Sequence, residues 1–153
     1  FVIRVPFKID LDADKREEQT DASEKSIKGL HILLAEDNEL NMEIAEFMLQ
    51  NEGADVIKAW NGQEAVELFR KSEPSEFDVI LMDIMMPVMN GYEATKIIRS
   101  LDREDAKEVP IIAMTANAFT EDRIKAKAAG MDEHVAKPVD VELLIKVIHK
   151  LVK

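Results

Sequence analysis

The chain has no cysteine. Disulfides, thiolate metal centres and thiol nucleophiles are therefore excluded. Any chemistry falls to oxygen and nitrogen groups, and a reducing compartment is expected, here the cytoplasm. A basic excess is also missing. Twenty Lys and Arg face thirty-one Asp and Glu, a formal net charge of −11. Proteins that bind DNA or RNA displace counterions with a basic face, and no such face is evident, so no nucleic-acid partner is expected. No apolar run approaches the ~18–20 residues that span a bilayer, and no signal peptide is visible. This segment is therefore expected not to insert in a membrane, although a longer parent chain could be anchored in one. Two phosphate-binding glycine loops are absent as well. There is no Gly-x-x-x-x-Gly-Lys-Ser/Thr and no Gly-x-Gly-x-x-Gly after a strand, which excludes a P-loop and argues against dinucleotide binding. The first residue is Phe1, not Met, and the chain reads as a fragment of something longer.

What is present divides at about residue 28. Residues 1–7 read as a strand-like tail. Residues 8–28 carry seven acids and five bases with few aliphatics, too little apolar surface to offset the entropy of ordering. They read as a charged linker. Residues 29–153 alternate short apolar runs with helical periodicity. His31–Ala35, Asp55–Ala59, Phe77–Met82, Ile111–Met114 and Val135–Ala136 are predicted strands. Between and after them lie five predicted helices. The first, capped by Asn38 and running to about Glu52, shows Leu40, Ile44, Phe47 and Met48 on one face. The second opens on Asn61 with Glu64 three residues on, a capping-box pattern. The others cover Gly91–Leu101, Thr120–Ala129, closed by Gly130, and a last helix capped by Asp140. Five β-α units imply a parallel sheet covered on both faces with right-handed crossovers. The expected fold is α/β, an open doubly wound five-stranded sheet.

The polar residues at the strand ends carry the functional information. Glu36 and Asp37 follow strand one, Asp83 ends strand three, Thr115 ends strand four and Lys137 follows strand five. In open α/β sheets, ligands bind outside the carboxyl ends of the strands. If the three acids converge, each pair at ~4 Å repels by about 4 kcal/mol at an effective dielectric near 20. A retained proton or a cation must relieve that repulsion. Oxygen ligands without His or Cys favour Mg²⁺ or Mn²⁺. With Lys137 and Thr115 available to an anion, the set suits phosphoryl transfer to a carboxylate.

At these residues a resemblance becomes plain. Leu34-Ala-Glu-Asp-Asn38, Asp83-Ile-Met-Met-Pro-Val-Met-Asn-Gly91, Met114-Thr-Ala-Asn117 and Lys137-Pro138 resemble the signature of two-component response-regulator receiver domains, most like those of hybrid sensor histidine kinases. The resemblance covers residues 29–153. It implies a flavodoxin-like sheet of order 2-1-3-4-5. It also implies that Asp83 is the phosphoacceptor. Asp37 and Asp83 would bind Mg²⁺ directly, Glu36 through water, and Met85 through its backbone carbonyl. Thr115 and Lys137 would contact phosphoryl oxygens, with the small Ala116 beside them. Met85 and Asn117 would tune acyl-phosphate lifetime. The Lys137–Pro138 bond would be cis, aiming Lys137 inward. One departure stands out: where the family usually has a switch Tyr or Phe, this chain has His134. The implied donor is the phosphohistidine domain of a histidine kinase, and a His-containing phosphotransfer domain is an implied next acceptor. The segment is then a self-acting phosphoacceptor rather than an enzyme, read out through the fourth helix, fifth strand and last helix. The first seven residues weakly resemble the last strand of a histidine-kinase ATP-binding domain, which suits a hybrid-kinase parent.

The sequence leaves three alternatives. One is a stand-alone single-domain response regulator. Another is an Asp-nucleophile phosphatase of the haloacid dehalogenase type, which wants Asp-x-Asp after its first strand; here that position holds Glu-Asp. The third is a pseudo-receiver that binds without being phosphorylated.

Overall fold

A computed structural model of the chain describes residues 27–116, 120–137 and 139–152. The expectations for the tail, for most of the linker, for Asn117 and for Pro138 lie outside the described residues. Eleven elements follow in order: β1 His31–Ala35, α1 Glu39–Asn51, β2 Asp55–Ala59, α2 Gly62–Lys71, β3 Val79–Asp83, α3 Gly91–Ser100, α4 Glu104–Glu108, β4 Ile111–Thr115, α5 Thr120–Ala129, β5 Glu133–Ala136 and α6 Val141–Leu151. All strand pairs are parallel, in the order β2-β1-β3-β4-β5. That is the doubly wound topology expected from the β-α alternation.

Central strands are apolar on both faces because both faces are covered. Every residue of β3 and β4 is buried. One core, with Leu33, Phe69, Ile80, Ile98 and Ile111, lies on one side of the sheet. The other, with Ile32, Leu34, Leu49, Leu81, Ile112 and Ile148, lies on the opposite side. Alternate residues of β1 and β3 divide between them, as the two-residue period of a strand requires. Ile27, which composition placed in the linker, is fully buried in the second core.

Helix caps fix where α1, α2, α3 and α6 begin. Asn38 Oδ1 accepts from Asn41 N at 2.9 Å, Asn61 Oδ1 from Glu64 N at 2.8 Å, and Asp140 Oδ1 from Glu142 N at 3.0 Å. The Glu64 carboxylate accepts from Trp60 N, one residue ahead of the Asn61 cap, so this box is offset. Asn90 and Glu93 close a reciprocal box at α3.

Two expectations need correction. The face of α1 given by Leu40, Ile44, Phe47 and Met48 does not pack inward. Leu40 is 64% exposed and Phe47 70%, while Met42, Ala45 and Leu49 are buried. The helix carries apolar residues on two faces, and contact with the sheet selects the one containing the small Ala45. A sixth helix, α4, was also not expected. Its five residues, Glu-Asp-Ala-Lys-Glu, bury only Ala106 and show no readable period.

Candidate functional site

Every residue of the site stands at or just beyond the carboxyl end of a strand or in the loop that follows. Glu36 and Asp37 continue from β1. The Glu36 N–H donates to the Ala59 carbonyl at 3.0 Å, extending the β1–β2 ladder by one residue. Glu36 is consequently turned inward and is 2% exposed, while Asp37 is exposed. Asp83 is the last residue of β3 and is 4% exposed. Thr115 ends β4, is buried, and accepts at its carbonyl from the Lys137 N–H at 2.8 Å. That bond holds the chain after β5 against the end of β4 and brings Lys137 over the sheet.

The side chains then meet. Lys137 Nζ lies 2.9 Å from Glu36 Oε1 and 3.0 Å from Asp83 Oδ1. The other Glu36 oxygen accepts from Asn38 N at 3.2 Å. Carboxylate oxygens of Glu36, Asp37 and Asp83 all lie within 4.8 Å of one another. With all three carboxylates ionised, the one ammonium leaves two negative charges uncompensated, which a divalent cation would neutralise. The donor set is all oxygen, as hard cations require, and so the residues fit such an ion.

The protonation of the site follows from this crowding. Burial and the neighbouring Glu36 charge push the Asp83 carboxyl up to about 7, although Lys137 pulls against both. Burial opposes the charge on Lys137, but its bonds to Glu36 and Asp83 outweigh burial and hold the amine above its ordinary value. A cation beside these carboxylates would offset the repulsion from Glu36 and favour the ionised form of Asp83.

Against known proteins, the response regulator receiver domain model matches residues 32–149. The chain belongs to the response regulator receiver family. Histidine kinase 1 of Arabidopsis thaliana is 35% identical over 86% of this chain and 13% of its own length. Hybrid signal transduction histidine kinase M of Dictyostelium discoideum is 44% identical over 79% of the chain and 5% of its own length. The receiver thus spans a small fraction of these relatives. Among solved structures, the receiver domain of a sensor histidine kinase from Pseudomonas aeruginosa, with a magnesium ion coordinated in its active-site cleft, is 39% identical. It covers 80% of this chain and 97% of that one, with a TM-score of 0.72. A chain from the co-crystal structure of the Saccharomyces cerevisiae histidine phosphotransfer signaling protein Ypd1 and the receiver domain of its downstream response regulator Ssk1 is 31% identical. There the coverage is 82% and 90%, with a TM-score of 0.73.

The structure brings Glu36, Asp37, Asp83 and Lys137 of this receiver together and sets Thr115 on the strand next to Asp83. Met85 follows β3 in the loop, 77% exposed between the buried Ile84 and Met86. Ala116 is exposed just beyond Thr115. His134 stands on the edge strand β5, level with Ala113. Its Nδ1 is 3.9 Å from Glu133 Oε1, and it is half-buried. Lys137 pairs with Asp83 and also with Glu36, and the sequence pattern does not show the contact with Glu36. That second pairing arises because the extended β1 ladder turns Glu36 inward, and a non-local backbone bond leaves no mark in the sequence.

Proposed function

We propose that Asp83 accepts a phosphoryl group from a phosphohistidine, and that the resulting acyl phosphate either passes onward or shifts the domain between two conformations. The observation that carries this reading is the convergence of Glu36, Asp37 and Asp83, their oxygens within 4.8 Å of one another, with Lys137 ion-paired to Glu36 and Asp83. In the transfer, an Asp83 carboxylate oxygen attacks phosphorus. The P–N bond to the donor imidazole breaks, and its electron pair stays on the ring nitrogen. Lys137 moves from neutralising Asp83 to neutralising the phosphoryl oxygens. Thr115 offers a hydroxyl to the same oxygens, and Ala116 leaves room for them. Magnesium or manganese, held by Glu36, Asp37 and Asp83 with the Met85 carbonyl, would supply further charge neutralisation. His134 replaces the family's switch aromatic.

The donor would be the phosphohistidine domain of a histidine kinase. The similarity to a receiver co-crystallised with a histidine phosphotransfer protein supports such a protein as a further partner. Leu40, Ile44 and Phe47 give the partner an exposed apolar face on α1, which starts beside Glu36 and Asp37. The kinase relatives support a hybrid-kinase parent. No described helix is long and apolar enough to cross a membrane; the phosphorylation chemistry suits the cytoplasm.

The test is phosphorylation of the wild type and Asp83→Ala by a small phosphodonor with Mg²⁺. Base-labile label is expected on the wild type and none on the variant. Undiminished label on Asp83→Ala would overturn the assignment. Generic phosphate-ester turnover would favour the phosphatase reading instead.

A further inference from the structure

The loop between β3 and α3 contains a strained turn. Val88, a β-branched residue, has φ of +68°, a region such side chains rarely enter. Across it the Met89 N–H donates to the Pro87 carbonyl at 2.6 Å, the closure of a γ-turn. A backbone in that state persists only where its surroundings over-determine it. On the inner half of the loop, Ile84 and Met86 are buried in the core. At its end, the Gly91 N–H donates to the Ile84 carbonyl at 2.9 Å.

The strained half is held from outside by Gly62, the first residue of α2. Its N–H, one of the donors every helix N-terminus leaves unpaired, donates to the Met89 carbonyl at 3.0 Å. A Cβ on Gly62 would overlap the Met89 carbonyl oxygen and would lie 2.9 Å from Met89 C and 3.0 Å from Asn90 O. All three are backbone atoms, so no side-chain rotation relieves the clash. Nor does Gly62 need glycine for its own conformation, since the positive-φ glycines described are Gly29, Gly53 and Gly130. Inside a helix alanine is otherwise the better residue. The requirement for glycine at 62 therefore comes from the approach of the loop.

We propose that Gly62 is a positioning residue for the metal site: its bare α-carbon and N–H clamp the Met89 carbonyl and so fix the loop that carries Met85 beside Asp83. The inference rests on the reading that the Met85 carbonyl and the three acids hold a divalent cation. Groups that orient ligands from outside typically contribute ten- to hundredfold in metal affinity.

Mn²⁺ alone, counted as free ion by electron paramagnetic resonance, tests this without phosphorylation. The wild type is expected to bind, and Gly62→Ala to bind about tenfold more weakly. Arg103→Ala, at the opposite end of the sheet, is expected to lose thermal stability and keep wild-type Mn²⁺ affinity. Equal affinity of Gly62→Ala and wild type overturns the inference while leaving the metal site standing. An equal loss in Arg103→Ala also overturns it, because affinity would then merely follow stability. A wild-type chain that takes up no Mn²⁺ removes the metal site itself, and the inference with it. Should Gly62→Ala not fold, amide exchange of Gly62 in the wild type decides. Coupling is reciprocal, so Mg²⁺ must slow that exchange; an unchanged rate overturns the proposal.

Discussion

Asp83 is the residue on which the site's energetics turn. Its carboxyl is raised first by burial and then by Glu36, to about 7, against about 4 in an unfolded chain. A raised acid works against the folded state once the unfolded chain has ionised. The penalty is absent below about pH 4, grows between about 4 and 7, and is complete above. Metal-free wild type is therefore expected to melt at progressively lower temperature across that interval. Asp83→Asn, which has no charge to bury, should flatten the profile. In EDTA at pH 8 it should be more stable than wild type by a few kcal/mol, read by thermal or denaturant melts. A variant less stable than wild type at pH 8, with an unflattened profile, would contradict this cause. The placement of Asp83, Asp37, Thr115 and Lys137 at one end of the sheet was legible, because each stands where a predicted strand stops. The depth of Glu36 was not, since it depends on the Ala59 carbonyl on the neighbouring strand.

At the scale of the element, α1 shows where periodicity misleads. Two apolar stripes run along this helix, and the larger side chains lie on the outer one. Burial, not size, sets their energetic weight. Leu49→Ala should lose about 3 kcal/mol in denaturant melts, as large-to-small changes in a packed core do. Phe47→Ala should stay within about 0.5 kcal/mol, because its ring is already in water. Reversed values would restore the face read from the sequence. Arg103 makes the complementary case for α4. Its guanidinium donates to the carbonyls of Phe69, Ser72 and Glu73 at 2.7, 3.1 and 3.2 Å and pairs with Asp105 at 2.7 Å. It also sits 4.7 Å over the Phe69 ring. One side chain thus caps the end of α2 and ties it to α4. Arg103→Ala should cost about 3 kcal/mol, since the carbonyls it leaves are partly buried and hydrogen bonds to charged groups are the stronger kind. A loss below about 0.5 kcal/mol in the same melts would show that solvent replaces it. A cap of this sort joins segments some thirty residues apart, and local patterns carry no trace of it.

For the whole molecule, a net charge of −11 and three clustered acids predict that a divalent cation stabilises the fold. A ligand that binds only the folded state adds about 1.4 kcal/mol per tenfold concentration above its Kd. At pH 8 the melting temperature should climb with added Mg²⁺ in the wild type and respond far less in Asp37→Ala. Equal responses would place the ion elsewhere. By itself the sequence determined the alternation of strands and helices, the parallel topology that follows from it, and the polar groups at the strand ends. Those are consequences of local period and chain connectivity. Only the tertiary structure decided which face of α1 packs, which carboxylates Lys137 joins, and why residue 62 must lack a side chain. Each of those depends on atoms distant in the chain meeting at van der Waals or hydrogen-bond range, a geometry that exists only once the sheet has assembled.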